Sequence, residues 1–315
     1  MRIGLIVSLL LLCSAVQAQK IQWQNVDSLF GPLPASVHVF KTTTPLEKGK
    51  ANLAFYVVAD LKDPSLVFTT DTTDGRRLSP AGFYAKNEQP LVVMNGTFFS
   101  FETNRNLNLV IKDGKVVAHN IGSVYDKRDE VYYYVTRSAI GIDASGNADV
   151  AWIYSDSAKA QAYALRFPAN RWGKTPARSV KEIAAKTDIQ KWSMQTAIAG
   201  GPSLIRDGHI CISNEQERMF RGKQIDDKHP RTAMGYTADG KLILLVVQGR
   251  MPGVAEGASL GEQARVLKEL GCYEALNLDG GGSSCLLVNG KETIQPSDKE
   301  GQRPVPAVFM IKQKR

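Results

Sequence analysis

The feature of this sequence that most constrains its fold is a repeated pattern in which Asp-Gly or Asn-Gly separates two runs of β-forming residues. Both dipeptides suit the positive φ angles of tight hairpin turns. Four such units predict a fold dominated by antiparallel sheet. The units read LNLVIKDGKVVAHN, PSLIRDGHICIS, RTAMGYTADGKLILLVV and SSCLLVNGKETIQ.

Further β-rich runs and two helical segments complete the predicted secondary structure. The first helix is an amphipathic segment over residues 180–192, and the second is SLGEQARVLKELG. In the second, Ser259 and Glu262 have capping-box spacing, and Gly271 provides the stop. The order of strands, helix and strands predicts an α+β fold. We expect mostly antiparallel mixed sheets built from hairpins, with a few flanking helices. The other predicted strands are 53–61, 66–70, 91–94, 131–143 and 305–312.

The N-terminal residues predict export. Arg2 precedes an apolar run and then small residues, which indicates a signal peptide over residues 1–18, cut after Ala18. Cys13 offers a lipoprotein anchor as an alternative, but the bulky Leu12 before it disfavours lipidation. The apolar run is shorter than the about 20 residues needed to span a bilayer, and no later run is long enough. We expect a soluble periplasmic or secreted protein without an integral membrane segment. Residues 19–90 are predicted to form an N-terminal arm and leading strands, and residues 91–315 the main domain.

Charge and cysteine content limit the partners and the crosslinks. The formal net charge is +8, but the basic residues are scattered, whereas a nucleic-acid-binding protein usually has a clustered basic stripe. We therefore expect no nucleic-acid partner. Three cysteines follow the predicted signal peptide. A bridge between Cys272 and Cys285 is one interpretation, and buried free thiols, including Cys211, are the favoured one.

The segment NLDGGGSS, from Asn277 to Ser284, is the main candidate for a functional loop. Asp279 follows a predicted buried strand, where it can serve as proton acceptor, sugar ligand or metal ligand. Glycines allow close approach of a ligand to the backbone, and successive N–H groups can form an anion-binding nest. A flexible turn with no function is the alternative. The residues assigned here to ligand binding are Asn277, Gly280, Gly281, Gly282, Ser283 and Ser284.

Other polar residues fall near predicted strand ends. Arg231 can hold a phosphate with two hydrogen bonds, although a surface arginine is the simpler interpretation. Glu262 caps a helix, yet it also lies at a helix N-terminus, where anionic ligands are favoured. The remaining candidates for substrate or phosphate binding are Asn95, Gly96, Thr97, Gly200, Gly201 and Arg303.

Together, these segments resemble the phosphodiester glycosidase family. The matching pieces are VVMNGTFF, AIAGGPSLIRDG, HPRTAMGY, GASLGEQARVLKELGCYEALNLDGGGSS and RPVPAVFMI, in order over about residues 91–311. The segment ALNLDGGGSS, together with the preceding LGEQA helix, is the specific part. Thr97 departs from the pattern, which has glycine at that position.

The resemblance implies hydrolysis of a sugar-1-phosphodiester to free sugar and a phosphomonoester. Asp279 would then be the main catalytic carboxylate, and Glu262 its partner or a support. Arg231, Arg303 and the backbone of residues 280–284 would stabilise the phosphate. The expected partner is a phosphorylated glycan or an N-acetylglucosamine-like sugar-1-phosphodiester.

Two other functions stay open at the level of the sequence. One is a metal-dependent phosphodiesterase that cleaves the P–O bond, although the four histidines are not at metal-ligand spacing. No cofactor is predicted, and a single Mg²⁺ or Ca²⁺ held by Asp279 and carbonyl oxygens is the alternative. The other function is a non-catalytic envelope protein that binds glycans or phosphoglycans.

Overall fold

A computed structural model of the protein describes residues 20–169, 171–183 and 189–314. The predicted signal peptide and Cys13 lie outside these residues. The strands, numbered in chain order along the described residues, are β1 (Gln24–Asn25), β2 (Val37–Thr42), β3 (Ala54–Asp60), β4 (Leu66–Thr72), β5 (Val92–Asn95), β6 (Val110–Lys112), β7 (Lys115–Ala118), β8 (Ser123–Asp126), β9 (Val131–Tyr134), β10 (Arg137–Ile142), β11 (Ala148–Asp156), β12 (Gln161–Leu165), β13 (Arg171–Gly173), β14 (Ile189–Lys191), β15 (Thr196–Ala199), β16 (Ser203–Arg206), β17 (His209–Ile210), β18 (Arg231–Thr237), β19 (Lys241–Val247), β20 (Cys272–Asn277), β21 (Leu286–Val288), β22 (Lys291–Glu292) and β23 (Ala307–Gln313).

Helices are few and short in the described part of the chain. The α-helices are α1 (Pro80–Lys86), α2 (Val180–Ile183), α3 (Asn214–Glu217) and α4 (Leu260–Glu269), and the 3₁₀ helices are Asp27–Leu29, Gly222–Ile225 and Gly281–Ser283. The predicted capping box of α4 is confirmed: the Ser259 side chain accepts from the Glu262 N–H, and the Glu262 carboxylate accepts from the Ser259 N–H.

All four predicted hairpin units join adjacent antiparallel strands. In the β6–β7 turn, φ is 51° at Asp113 and 73° at Gly114. Two successive positive φ angles match the right-handed twist of the flanking strands. The dipeptides at 207–208 and 289–290 have the same feature. The local sequence therefore determines these turns.

The sheets also join strands that are distant in sequence, so hairpins are only part of the assembly. The eight-stranded sheet has the order β1-β2-β3-β19-β18-β20-β16-β17, and the seven-stranded sheet has the order β14-β12-β11-β10-β15-β6-β7. A five-stranded sheet has the order β22-β21-β5-β23-β4, and a three-stranded sheet the order β13-β9-β8. Every pairing between these strands is antiparallel, so the expectation of mixed sheets is wrong for the described residues.

The main core lies among the three large sheets. One buried apolar cluster takes side chains from all of them, including Val57, Leu244, Met94, Phe309, Ile140 and Ile198. On the eight-stranded sheet, α4 covers a second cluster with Leu260, Ala264 and Leu267. The five-stranded sheet has a third cluster that includes Phe83 of α1. Burial of this apolar surface is the dominant stabilising contribution to a fold with so little helix.

One helix prediction needs correction. The predicted helix over 180–192 begins as α2, residues 184–188 lie outside the description, and Ile189–Lys191 is strand β14 paired with β12. The segment predicted as an N-terminal arm and leading strands includes β2, which pairs with β3 in the eight-stranded sheet. Pairing with a neighbouring strand satisfies backbone groups and overrides a weak local helical pattern.

The cysteines are not crosslinked in the described structure. Cys272 and Cys285 are buried free thiols, as the favoured interpretation held, whereas Cys211 is exposed. Among the described residues, no helix is long and apolar enough to cross a membrane.

Candidate active site

The glycine-rich loop connects two sheets. Strand β20 ends at Asn277 in the eight-stranded sheet, and β21 begins at Leu286 in the five-stranded sheet. Asp279 lies early in this loop, where its N–H donates to the carbonyl oxygen of Gly96 at 3.0 Å. Its own carbonyl oxygen accepts from Nδ2 of Asn95 at 2.6 Å. The end of β5 therefore fixes the backbone of Asp279 from both sides.

Asn95 is the fully buried residue that connects the elements around the loop. Its Oδ1 accepts from the Thr232 hydroxyl at 2.9 Å and from the Cys285 N–H at 3.0 Å. The Thr232 hydroxyl is also 3.1 Å from Oγ of Ser284. Buried polar groups are costly unless they are hydrogen-bonded. The predicted ligand-binding side chains Asn95 and Ser284 thus have protein partners and hold the loop in place.

The loop requires glycine because other groups approach its backbone closely. A Cβ at Gly280 would lie 2.7 Å from the carbonyl oxygen of Pro230. A Cβ at Gly282 would lie 2.1 Å from Nη2 of Arg303 and 2.1 Å from Oδ1 of Asp298. Both distances are too short for a side chain. The missing side chains allow the Arg303–Asp298 pair to pack directly on the loop.

Fewer backbone N–H groups of the loop are available to bind an anion than the sequence predicts. The N–H of Gly281 donates to Pro230 O at 2.8 Å, and the N–H groups of Ser283 and Ser284 donate to Gly280 O and Gly281 O, both at 3.2 Å. Three N–H donors of the loop therefore already have protein acceptors. Positive charge at this site comes mainly from arginine side chains.

A cavity of about 230 Å³ opens beside Asp279. It contains five of the residues predicted from the sequence and five others. The predicted residues are Arg231, Asp279, Gly280, Gly281 and Arg303, and the others are Phe98, Phe220, Gln224, His229 and Arg250.

Three arginines give the cavity its positive charge. Arg231 is 3% exposed, and its Nε donates to Ala258 O at 2.8 Å. Burial and the neighbouring charge of Arg250 lower the pKa of Arg231 to about 10, so it is still a cation at neutral pH. Arg303 forms a two-point pair with Asp298, at 2.7 and 2.9 Å.

Asp279 has the ionisation behaviour of a functional carboxyl. Burial raises the pKa of Asp279 to about 7, although the nearby Ser283 hydroxyl, the Arg303 charge and the Gly280 N–H oppose the rise. The Ser283 hydroxyl still lacks a hydrogen-bond partner among the described residues. A carboxyl with a strongly shifted pKa in a cleft is a candidate for acid–base or nucleophilic chemistry.

His229 and Phe220 form further parts of the wall. Burial, then the charges of Arg231 and Arg250, lower the pKa of His229 despite the opposing charge of Asp227. The imidazole is therefore neutral at pH 7. Phe220 lies below the Arg231 guanidinium, 5.7 Å from its central carbon to the ring centroid.

Glu262 does not line the cavity. Its carboxylate accepts from the Ser259 N–H at 2.8 Å and from Nζ of Lys228 at 2.5 Å. It is 7% exposed and acts in the capping box of α4. The Ala258 carbonyl beside this cap is the acceptor for Arg231.

The remaining predicted residues lie behind the loop rather than in the cavity. Nδ2 of Asn277 donates to Gly201 O at 2.8 Å, while Oδ1 has no partner among the described residues. A Cβ at Gly200 would lie 2.5 Å from Asn277 O, which explains the glycine there. Thr97 is buried and contacts Asn106 through its hydroxyl.

Sequence reasoning assigned no role to five cavity residues, and Arg250 is the most important of them. It follows β19 in a turn and has a φ of 61°. Its Nη2 would be 2.9 Å from a Cβ on Gly281, so the guanidinium lies against the loop. No local motif surrounds it. Two of the five lie in segments that the sequence already singled out, His229 in HPRTAMGY and Phe98 in VVMNGTFF.

Metal ligands are not clustered in the described structure. No group of three or more His, Cys, Asp or Glu side chains among the described residues is arranged to hold a metal ion. Among the described residues that line the cavity, Asp279 is accompanied by three arginines and by no second carboxylate.

Comparison with known proteins identifies the family of the chain. A family model described as phosphodiester glycosidase matches residues 88–312. The chain belongs to the phosphodiester glycosidase family. The resemblance seen in the sequence is thereby confirmed, and so is the expected enzyme class at the level of the family.

Curated relatives cover only part of this phosphodiester glycosidase. N-acetylglucosamine-1-phosphodiester alpha-N-acetylglucosaminidase of Mus musculus is 34% identical over 109 residues, which are 32% of this chain and 21% of the mouse protein. The match therefore spans about a fifth of the relative's length. Whole-protein properties of the relative do not transfer on this basis alone.

Solved structures share the fold of this phosphodiester glycosidase. The zebrafish N-acetylglucosamine-1-phosphodiester alpha-N-acetylglucosaminidase catalytic domain, auto-inhibited by its pro-peptide, has a TM-score of 0.61 and 22% identity. The similarity covers 94% of this chain and 89% of the zebrafish chain. A hypothetical protein from Synechocystis has a TM-score of 0.58 and 18% identity, over 93% of this chain and 68% of that one.

Proposed function

We propose that the protein is an exported hydrolase that cleaves a sugar-1-phosphodiester at the glycosidic bond and releases free sugar and a phosphomonoester. The observation that carries this proposal is the single cavity in which the carboxyl of Asp279 lies among three arginines. Family membership supports the reaction class.

The three arginines bind the phosphate in this proposal. Arg231, Arg250 and Arg303 all line the cavity. A guanidinium can hold a phosphate through two parallel hydrogen bonds. The same charges stabilise the negative charge that develops on the departing phosphate when the sugar–oxygen bond breaks.

Asp279 is the catalytic group for the substitution at C1 of the sugar. The bond between C1 of the sugar and the bridging oxygen breaks, its electrons stay on the phosphate, and C1 gains an oxygen from water. Asp279 acts either as the nucleophile at C1 or as the base that takes a proton from the attacking water. Both roles need the carboxylate, which is about half populated at neutral pH when the pKa is about 7.

The phosphate reduces the need for a second acidic group. Ordinary glycosidases use a second carboxyl to protonate the leaving group, whereas a phosphate leaves as an anion. Asp279 is the only carboxylate among the described residues that line the cavity. As the base that activates water, this single carboxylate is sufficient for the proposed reaction; as the nucleophile, it would leave the proton of the water that frees the sugar to the departed phosphate.

The cavity suits one sugar residue of the N-acetylglucosamine type. Its volume of about 230 Å³ is below the roughly 300–1,000 Å³ of pockets for drug-sized ligands. Phe98 and Phe220 pack edge to face with ring centroids 5.9 Å apart and supply an apolar wall. The name of the mouse relative, N-acetylglucosamine-1-phosphodiester alpha-N-acetylglucosaminidase, supports the choice of sugar.

Glu262 supports the site by positioning. It holds the Ser259 N–H at the start of α4, and the adjacent carbonyl of Ala258 accepts from Arg231. Glu262 therefore orients a phosphate-binding group without touching the substrate. This role corresponds to the supporting function considered for it from the sequence.

Export rests on the N-terminal sequence. Arg2, the apolar run over residues 3–12 and the small residues up to Ala18 form a signal-peptide pattern. A periplasmic or secreted enzyme would meet envelope or extracellular phosphoglycans.

Product analysis tests the proposed function. The purified mature protein is incubated with a panel of sugar-1-phosphodiesters that includes N-acetylglucosamine-1-phosphate linked to a methyl glycoside. We expect free sugar and a phosphomonoester. Sugar-1-phosphate as the product would replace this proposal with phosphodiesterase chemistry at a metal. Binding without turnover on the whole panel would indicate a glycan-binding protein.

A further inference from the structure

A second concave surface lies next to the cavity that contains Asp279. It encloses about 800 Å³ and shares Phe220 with the cavity. The 3₁₀ helix that follows separates them, since Gln224 lines the cavity and Ile225 lines the second surface. We call this surface the arginine groove after four of its lining residues, which are Arg128, Arg171, Arg218 and Arg221.

The arginine groove has an excess of positive charge. Glu215 is the only acidic residue among the described residues that line it. Asp126 does not line the groove, but its Oδ2 lies 3.1 Å from Nη2 of Arg221 and 3.6 Å from Nη2 of Arg128. The single negative charge of Asp126 is thus shared between two guanidinium groups and neutralises only one of their two charges. The groove keeps a net positive potential that would attract an anion.

Arg171 and Arg218 have guanidinium N–H donors that are not taken up by a carboxylate in the described part of the chain. Among the described residues, neither Arg171 nor Arg218 has a carboxylate within 4.0 Å. The central guanidinium carbon of Arg218 lies 3.4 Å from the ring centroid of Tyr133. Arg218 also hydrogen-bonds to the Tyr133 hydroxyl, which in turn donates to Asp129 at 2.6 Å. A guanidinium has five N–H donors, so Arg218 keeps further donors for a ligand.

The wall of the groove is held by buried hydrogen bonds. The carboxylate of Glu217 is fully buried and accepts from the Ser138 N–H at 2.9 Å, from Trp152 Nε1 at 3.0 Å and from the Ser203 N–H at 2.9 Å. The Asn214 side chain exchanges two hydrogen bonds of 2.9 Å with the backbone of Phe220. A fixed wall keeps the arginines in place, which lowers the entropy cost of ligand binding.

From this arrangement we infer that the arginine groove binds a second phosphate of the same substrate molecule, on the leaving-group side of the bond that is cleaved. The inference rests on the proposed function for the position of the first phosphate. The natural substrate then carries at least two phosphate groups, as a phosphodiester-linked chain or a bisphosphorylated leaving group does.

The position of the groove favours one continuous substrate. Phe220 separates the groove from the cavity, and Arg231 packs over the ring of Phe220 on the cavity side. A phosphate held by Arg231 therefore lies next to Phe220. The part of the substrate beyond this phosphate can continue past Phe220 into the groove. Planar guanidinium groups match phosphate better than they match neutral sugar hydroxyls.

Two matched substrates test the inference through turnover. One is N-acetylglucosamine-1-phosphate esterified to glycerol, and the other has the same structure with glycerol 3-phosphate. We expect kcat/KM to be at least tenfold higher for the two-phosphate compound. Combined Arg171→Gln and Arg218→Gln substitutions should reduce this preference to less than twofold through KM and leave turnover of the one-phosphate compound unchanged. Lys115→Gln, which removes one positive charge at an exposed position of β7 and so matches Arg171→Gln alone, should keep the preference. Equal preference in the wild type and the double variant would overturn the inference.

Binding separates failure of this inference from failure of the proposed function. If neither compound is turned over, the panel of sugar-1-phosphodiesters decides the proposed function, and calorimetry with the same two compounds still tests the groove. Tighter binding of the two-phosphate compound by at least tenfold, lost in the double variant but not in Lys115→Gln, supports a phosphate site there. Equal binding of both compounds rejects it. Arg171→Gln alone is the second variant if the double variant does not fold.

Discussion

The side-chain amide of Asn95 donates to the main-chain carbonyl of Asp279 at 2.6 Å and so ties the end of β5 to the start of the glycine-rich loop. Asn95 is fully buried and also accepts from Thr232 and Cys285. Its main role is therefore to fix the position of Asp279.

Replacing Asn95 with Ala should destabilise the protein and the site together. The Cys285 N–H and the Asp279 carbonyl would lose this partner and the Thr232 hydroxyl one of its two contacts, and an unsatisfied buried group costs about 1–3 kcal/mol. We expect the free energy of unfolding in urea to fall by about 2 kcal/mol or more. The control is Gln24→Ala at an exposed position of β1, which should change it by less than about 0.5 kcal/mol. Equal stabilities of the two variants would contradict this role.

Asp279→Asn should remove most of the turnover and leave substrate binding. Loss of a general base typically costs about 10²–10⁴-fold in rate, and we expect about a 10³-fold loss of kcat. The matched control is Asp113→Asn in the exposed β6–β7 turn, where Asn-Gly suits the turn as well as Asp-Gly does. A variant that retains a tenth of wild-type kcat would show that Asp279 is not the main catalytic group.

The same substitution should stabilise the protein at high pH. The raised pKa means that folded Asp279 holds its proton from about pH 4 to about pH 7, while the unfolded chain has lost it. Stability from this group therefore falls as pH rises through that range. Asn cannot ionise, so Asp279→Asn should melt at a higher temperature than wild type at pH 8 and at a similar temperature at pH 4. A lower melting temperature at pH 8 would argue against the burial of this charge.

The pH dependence of kcat/KM should report the ionisation of Asp279. The reaction needs the carboxylate, so kcat/KM should rise with pH through an apparent pKa of about 7. The charge of Arg303 opposes the rise of this pKa. Arg303→Gln should therefore move the midpoint to higher pH by roughly half a unit or more, while Arg303→Lys, which keeps the charge, should move it less. A midpoint that stays in place in both variants would assign the profile to another group.

Glu262 should behave as a positioning residue. Glu262→Ala removes a helix cap, which costs about 1 kcal/mol, and loosens the support of Arg231 through Ala258. We expect KM to rise about tenfold with kcat nearly unchanged, and Glu262→Gln, which keeps the capping acceptor, to restore most of the loss. A fall in kcat as large as that of Asp279→Asn would instead make Glu262 a catalytic residue.

The local features of the fold could be predicted from the sequence. Ser259, Glu262 and Gly271 mark the ends of α4 because capping and termination depend on neighbouring residues. The Asp-Gly and Asn-Gly turns were predictable for the same reason. Asp279 was found because its loop combines an acid with glycines that no ordinary turn requires in such number.

Long-range features could not be predicted in this way. Strand β3 pairs with β19, nearly two hundred residues later, and no local pattern encodes that choice of partner. Arg250 reaches the site from a turn in that distant region, so its sequence neighbours give no indication of function. Ile189 fits a helical pattern, yet pairing with Leu165 places it in a strand.

Hydrolysis in ¹⁸O-labelled water tests the central claim most directly. The mature protein and N-acetylglucosamine-1-phosphate linked to a methyl glycoside are incubated, and the products are separated by mass spectrometry. Attack at C1 with Asp279 as the catalytic carboxylate predicts ¹⁸O in the free sugar and none in the phosphomonoester. Label in the phosphate, or release of sugar-1-phosphate, would contradict cleavage of the glycosidic bond.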